Sequence, residues 1–328
     1  VSTFAARLET IDNLSVVRLT DSATKSALAA SPAFGATAHQ LIHKGQPVLF
    51  VPGGPSGPMS LPQLISGRRL CGNPILAPWA NRIEGFSYMA NGQKYLLNPN
   101  LNNLRLDQNK NPIHGLVTFS NRWETVEATA AEDSARARFA LDFGRFPDWL
   151  AQFPFPHRIE VTYTLRAAEV EVATEVFNHA AEPMPLAVGF HPYFQITDAP
   201  RDSWKVTIPA KDRYTLTPKL IPNGELTPNP HYGTKTLAGV VLDDVFGGIE
   251  RDARGLATFA VEGARQRIEV IYGNSYDVAV VYAPAGQNFI CFEPMTAPTN
   301  AFNMTSPIKK IAPAGSWRES YWIRMKGY

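Results

Sequence analysis

Apolar residues recur at every second position along much of this chain. Ile159, Val161, Tyr163 and Leu165 alternate with Glu160, Thr162 and Thr164, and Val170, Val172, Thr174 and Val176 alternate with Glu171 and Glu175. Phe139, Leu141 and Phe143 repeat the pattern, as do Ile268, Val270 and Tyr272, and Tyr321, Ile323 and Met325. Side chains in a strand point alternately to opposite faces, so each run predicts a strand with one face in a core and the other towards water. The more continuous runs Val278–Ala283 and Phe289–Phe292 predict central strands covered on both faces.

Turn chemistry fits such a chain. The sequence holds 27 Pro and 23 Gly, a density that breaks long helices. Turns are expected at Asn91-Gly92, Pro222-Asn223-Gly224, Pro284-Ala285-Gly286 and Pro313-Ala314-Gly315, and an irregular loop over residues 52–58. Helical signal is confined to a turn or two at residues 60–66 and 148–152. No repeat of fixed period occurs. The expected fold is all-β and mainly antiparallel, a single sandwich-like domain over residues 1–328.

Charge and cysteine content exclude several classes. With 31 Lys and Arg against 29 Asp and Glu there is no basic footprint for nucleic acid. No apolar run reaches the roughly 18 residues of a membrane span. Cys71 and Cys291 are too few for a disulfide framework, and Cys291, in an apolar run, reads as a buried free thiol. The expected location is cytoplasmic, with a periplasmic or secreted one left open by an N-terminus that lacks Met.

Two motifs share one device. His191 precedes Pro192 in Phe190-His191-Pro192-Tyr193-Phe194, and Glu293 precedes Pro294 at what reads as the end of the apolar run Phe289–Phe292. A following proline favours an extended backbone and so a fixed side-chain direction. An imidazole and a partly desolvated carboxylate held this way suit proton transfer. The competing readings are a core histidine bonded to a backbone carbonyl and a carboxylate paired with Arg.

Further polar groups interrupt apolar surroundings. Asn81-Arg82 offers an amide and a forked guanidinium, and His114-Gly115 sets a histidine beside a residue that permits close approach. Asp243-Asp244 lies in an apolar frame. Trp79, Tyr193 and Phe194 are candidate aromatic faces for a sugar ring, or core residues. The lone His157, His179 and His231 read as surface or turn residues. His39 and His43 lack the glutamate of a zincin motif. Dinucleotide and phosphate loops are absent, Pro52-Gly53-Gly54-Pro55 being too proline-broken, and so is a serine nucleophile elbow.

Taken in order, Asn81-Arg82-Ile83, Ile113-His114-Gly115 with Trp123, His191-Pro192-Tyr193-Phe194, Asp243 with Phe246, and Phe292-Glu293-Pro294 resemble the aldose 1-epimerases, or galactose mutarotases. The resemblance implies a galactose-mutarotase-like β-supersandwich. It implies that His191 is the general acid on the ring oxygen, that Glu293 takes the proton of the anomeric hydroxyl, and that His114 assists. Arg82, Asn81 and Asp243 would orient substrate hydroxyls; Asp243 is preferred to Asp244 because the family's aspartate stands three residues before an aromatic.

The implied substrate is a free hexose such as galactose or glucose, with no metal and no cofactor. No nucleic-acid or membrane partner is expected, and the chain would be a monomer or weak homodimer. An acid that must be protonated beside an ionised base leads to the expectation of a raised His191 pKa. Pro192 stands where the best-known galactose mutarotases have Ser, and Leu116 where they have a second Gly. That pattern is closer to a broader branch that includes hexose-6-phosphate epimerases, so a hexose-6-phosphate 1-epimerase is the alternative. A non-catalytic carbohydrate-binding protein of the same fold, and a glycosidase using Asp243 and Glu293, are further readings.

Overall fold

A computed structural model of the chain describes residues 2–54 and 57–328. Among these residues strands dominate, and the α-helices are the short Leu61–Ser66 and Pro147–Leu150. The first opens at Ser60, whose backbone N–H donates to Gln63 Oε1 at 2.8 Å, half of a capping box. The second opens on Pro147, whose missing N–H costs nothing at a helix start. Neither helix is long and apolar enough to cross a membrane.

Among the described residues the alternating runs build an antiparallel sheet of nine strands. His157–Arg166 pairs with Ala135–Asp142 on one side and Glu169–Asn178 on the other, and Ser316–Lys326 links these to Arg267–Tyr272. Phe139, Val161, Val172, Val270 and Tyr321 are all fully buried on its inner face. The third residue of one alternation, Phe143, falls just past its strand in a 3-10 turn but stays in the core.

A second antiparallel sheet packs on that face. It runs from Pro222–Pro228 through Ala210–Leu216, Leu242–Ile249 and Val278–Ala283 to Ile290–Met295, then to the short strands Gly189–Phe190 and Tyr193–Phe194. Contacts such as Phe259 to Phe292, ring centroids 6.0 Å apart, and Phe190 to Tyr321, 5.1 Å, join the two sheets. A five-stranded N-terminal sheet begins at Phe4–Ile11. The two continuous apolar runs lie centrally in the second sheet, as expected.

Three local expectations need correction. Pro222-Asn223-Gly224 is not a turn: the turn comes earlier, at Thr217–Ile221, and Pro222 opens an edge strand. An edge strand tolerates a residue without an N–H, so the proline there marks a strand start. The segment 52–58 is not wholly irregular, because Gly53–Gly54 pairs with Gly57–Pro58; Pro55 and Ser56 lie outside the described residues.

His157 is the third correction. It is buried in the core, stacked on Phe143 at 4.3 Å, and its Nδ1–H donates to the Phe155 carbonyl at 2.6 Å. Burial, only partly offset by that hydrogen bond, pushes its pKa down to about 4. The folded state therefore binds this proton more weakly than the unfolded chain. The stabilisation is complete above pH 6.5 and is lost as pH falls towards about 4, on the order of 3 kcal/mol in all. Urea denaturation at pH 7 and pH 4.5 should show a smaller pH dependence in His157→Phe than in the parent. Equal pH dependence would contradict this origin.

Candidate active site

Alternation fixes which side chains leave the core in the second sheet. Ile290 and Phe292 face the inter-sheet core, so Cys291 and Glu293 face the opposite side; in the neighbouring strand Val281 faces the core and Val280 and Tyr282 do not. Register then sets Glu293 opposite Val280 and Asp243 opposite Tyr282. Of these, Glu293, Val280, Tyr282 and Asp243 floor a cavity of about 300 Å³. Asp244 instead pairs with Arg213 at 3.3 Å, so Asp243 is the aspartate at the cavity.

Glu293 does not end its strand, which continues through Pro294 to Met295. On one side the ladder is broken between the pairs Tyr193↔Cys291 and Gly189↔Met295. Pro294 lies opposite that break, where a missing N–H costs the sheet least. His191 and Pro192 fill the break, with the His191 N–H donating to the Pro74 carbonyl at 3.0 Å. The two proline-flanked residues thus face one another, His191 Nε2 lying 3.3 Å from Glu293 Oε1. Tyr193 stacks on the imidazole at 4.6 Å and 7°, and His114 meets it edge-on at 5.5 Å.

A loop over residues 104–115 makes the wall. Its backbone is tied by Asp107 N–H to the Asn111 carbonyl, and Asp107 Oδ1 accepts from the Asn109 and Asn111 N–H groups at 2.8 Å each. Asn81 and His114 both adopt the left-handed region, φ 56° and 65°, and the His114 N–H donates to the Asn81 carbonyl at 2.8 Å. Gly115 follows at φ 66°, and a Cβ there would overlap the Ala77 carbonyl oxygen. The close approach expected at this glycine is therefore made by backbone.

All six residues singled out in the sequence, His191, Glu293, His114, Arg82, Asn81 and Asp243, line this one cavity. Of the three aromatic candidates only Tyr193 does; Trp79 and Phe194 are core residues. The sequence reading missed Arg105, Tyr282 and Asp107. Asp107 holds Arg82, accepting from its Nε at 2.7 Å, while Arg82 Nη1 donates to Asn81 Oδ1 at 2.9 Å. Asp107, Asn109 and Asn111, spaced two apart, are the available signal, since such residues stabilise tight turns through their side chains.

The expected rise in His191 pKa is reversed. Burial pushes its imidazole down to about 3, with Arg105 and Arg82 adding to the effect, and burial pushes His114 well down. Burial also raises Glu293 well above the usual carboxylate range; nearby Asp243 raises it further and Arg82 opposes. Both directions favour the uncharged forms, a protonated carboxyl beside a neutral imidazole 3.3 Å away. Asp243 is also raised, by burial first. His191 Nδ1, His114 Nδ1 and Glu293 Oε2 are buried with no hydrogen-bond partner among the described residues. Unsatisfied polar groups gathered at a cavity are characteristic of a site made for a polar ligand.

Known proteins show the same architecture. The structure superposes on a galactose mutarotase-like protein from Clostridium acetobutylicum with a TM-score of 0.86 at 20% identity, covering 99% of each chain. It superposes on galactose 1-epimerase from Lactobacillus acidophilus with a TM-score of 0.76 at 16% identity, covering 99% of this chain and 98% of the other. These likenesses establish the galactose-mutarotase-like fold. In sequence the chain is 27% identical over 239 residues to the uncharacterized protein YihR of Escherichia coli, covering 70% of this chain and 71% of that one. The family model for aldose 1-epimerase matches residues 62–324, a span that includes all six cavity residues named above, and the chain belongs to the aldose 1-epimerase family.

Proposed function

We propose that this protein is an isomerase that interconverts the α and β anomers of an aldopyranose by opening and reclosing the ring. The observation that carries the reading is the buried pair His191–Glu293, 3.3 Å apart at the cavity, and burial favours the form with one exchangeable proton shared between carboxyl and imidazole. Mutarotation needs one proton donor and one acceptor close together, and this pair supplies that count.

With O1 at Glu293 and O5 at His191, hydrogen bonds from the sugar hydroxyls favour the carboxylate form of Glu293. The shared proton then moves to His191 Nε2. Glu293 takes the proton from O1 as the C1=O1 double bond forms, the C1–O5 bond breaks, and His191 delivers its proton to O5. Rotation about C1–C2 presents the other carbonyl face. Closure returns the O5 proton to His191 and the Glu293 proton to O1, so the pair ends as it began. Asn81, Arg82 and Asp243 hold the ring hydroxyls, and His114 assists beside O5. The carbohydrate-binding and glycosidase readings leave a proton-sharing acid–base pair without a use.

His191→Asn should lower anomer exchange by about 10²–10⁴-fold, read by saturation-transfer NMR on free aldoses. Exchange as fast as in the parent would defeat the catalytic reading in favour of binding, and release of reducing ends from glycosides would favour hydrolysis. The pH profile gives a separate check. Burial pushes His191 down to about 3 and raises Glu293 well above the usual carboxylate range, so neither group should titrate near the ordinary imidazole value as pH falls from neutrality to about 5. The exchange rate constant should be flat over that interval; an acid limb centred near the ordinary imidazole value of about 6.5 would contradict the shared-proton account.

A further inference from the structure

Arg82 and Arg105 both line the cavity, but their surroundings differ. Arg82 is neutralised by Asp107 at 2.7 Å. Arg105 has no carboxylate within ion-pair distance among the described residues, and its Nη1 is buried with no acceptor. Its guanidinium lies 5.3 Å from the centre of the Phe119 ring, and that of Arg68 lies 5.4 Å from the same centre. Arg68 stands two residues before Leu70, itself part of the cavity wall, and likewise has no carboxylate partner among the described residues. Two guanidinium groups brought to one aromatic ring without a counter-ion repel each other. A buried unpaired guanidinium nitrogen also costs free energy unless a ligand supplies the acceptor.

The position of Arg105 along the bound sugar follows from the catalytic pair. The Arg105 carbonyl accepts from the Ile113 N–H at 2.9 Å, next to His114, whose ring meets that of His191 edge-on at 5.5 Å; the charge of Arg105 acts on both histidines and, unlike that of Arg82, is not among the charges acting on Glu293. Arg105 therefore belongs to the histidine end of the cavity. In the proposed reaction that end holds O5, and in a pyranose ring the neighbour of O5 away from C1 is C5, which carries the C6 substituent.

Resting on the mutarotase reading, we infer that Arg105 is a specificity-determining residue that binds an oxyanion at C6 of the substrate, with Arg68 reinforcing it at the rim. The substrate class is an aldopyranose with a phosphate ester or a carboxylate at C6. A planar guanidinium fork meets either group with two parallel hydrogen bonds.

The test compares anomer exchange of glucose, galactose, glucose 6-phosphate and glucuronate by saturation-transfer NMR, each rate taken over its own enzyme-free rate. The parent should show a higher kcat/KM for glucose 6-phosphate or glucuronate than for glucose, and the better of the two identifies the oxyanion. Arg105→Gln should lower that preference by about 10–100-fold, the effect of losing hydrogen bonds to a charged group. Arg105→Lys should recover part of it, which a purely structural loss would not allow. Added salt should lower the preference in the parent more than in Arg105→Gln. Parent protein that exchanges glucose or galactose at least as well as both anionic sugars overturns the inference and leaves the mutarotase reading intact. A preference unchanged in Arg105→Gln overturns the role of Arg105. Absence of exchange with all four sugars overturns the mutarotase reading and the inference together.

Discussion

Glu293→Gln should abolish most anomer exchange, about a 10²–10⁴-fold loss, while leaving the folded protein as stable as the parent or more so. The substitution keeps the size and shape of a fully buried side chain and removes the carboxyl proposed to accept the O1 proton. The stability half of the expectation comes from linkage. A carboxyl whose folded pKa is raised stabilises the fold fully below its unfolded value, and that contribution is lost as pH rises towards the folded value. At pH 7 the parent therefore bears a cost that a neutral amide does not. Residues kept for chemistry at the expense of stability show this opposition. A variant that loses activity only in proportion to lost folded protein would mark Glu293 as structural.

The second large effect is expected at Gly115, where His114 is held. Gly115→Ala places a side chain in the left-handed region, costing roughly 1–2 kcal/mol, and drives its Cβ into the Ala77 carbonyl oxygen. Backbone packed on both sides cannot move aside as a flexible side chain can, so overpacking adds about 1–3 kcal/mol. Gly92→Ala is the matched control: its φ is 76°, but nothing lies within 4 Å of an added Cβ. Urea denaturation should show Gly115→Ala clearly the less stable of the two, with exchange activity reduced because His114 shifts. Equal destabilisation would mean that the Ala77 contact imposes no constraint.

The strands of both sheets were legible because each depends on a local pattern. The alternation at Ile159–Leu165 and Val170–Val176 sets which residues face inwards, and these are buried, but Thr162 and Thr164, expected towards water, are buried as well. Pro222 misled because proline marks both turns and edge-strand starts, and neighbouring strands decide between them. Glu293 reads as a strand end for a similar reason: only the break in the partner ladder shows why Pro294 is tolerated inside. At the site, residues in short, ordered motifs such as His191-Pro192 and Asn81-Arg82 were found. Arg105 and Asp107 were not, because charges in a polar loop have no periodicity and their roles arise from contacts with Phe119 and Arg82. Burial of His157 was hidden likewise, its partners Phe143 and Phe155 lying outside its strand. The sign of the His191 shift is not legible in the motif, because the adjacent carboxylate is outweighed by desolvation of a deeply buried imidazole.

The central claim is that His191 and Glu293 open and close a sugar ring. Its most direct test is saturation transfer between the α and β anomeric proton signals of an aldose panel, neutral and C6-anionic, with parent protein at pH 7. The account predicts transfer that exceeds the enzyme-free rate, scales with protein concentration for at least one sugar, and disappears in Glu293→Gln. Transfer at the enzyme-free rate for every sugar, or transfer undiminished in Glu293→Gln, would contradict it.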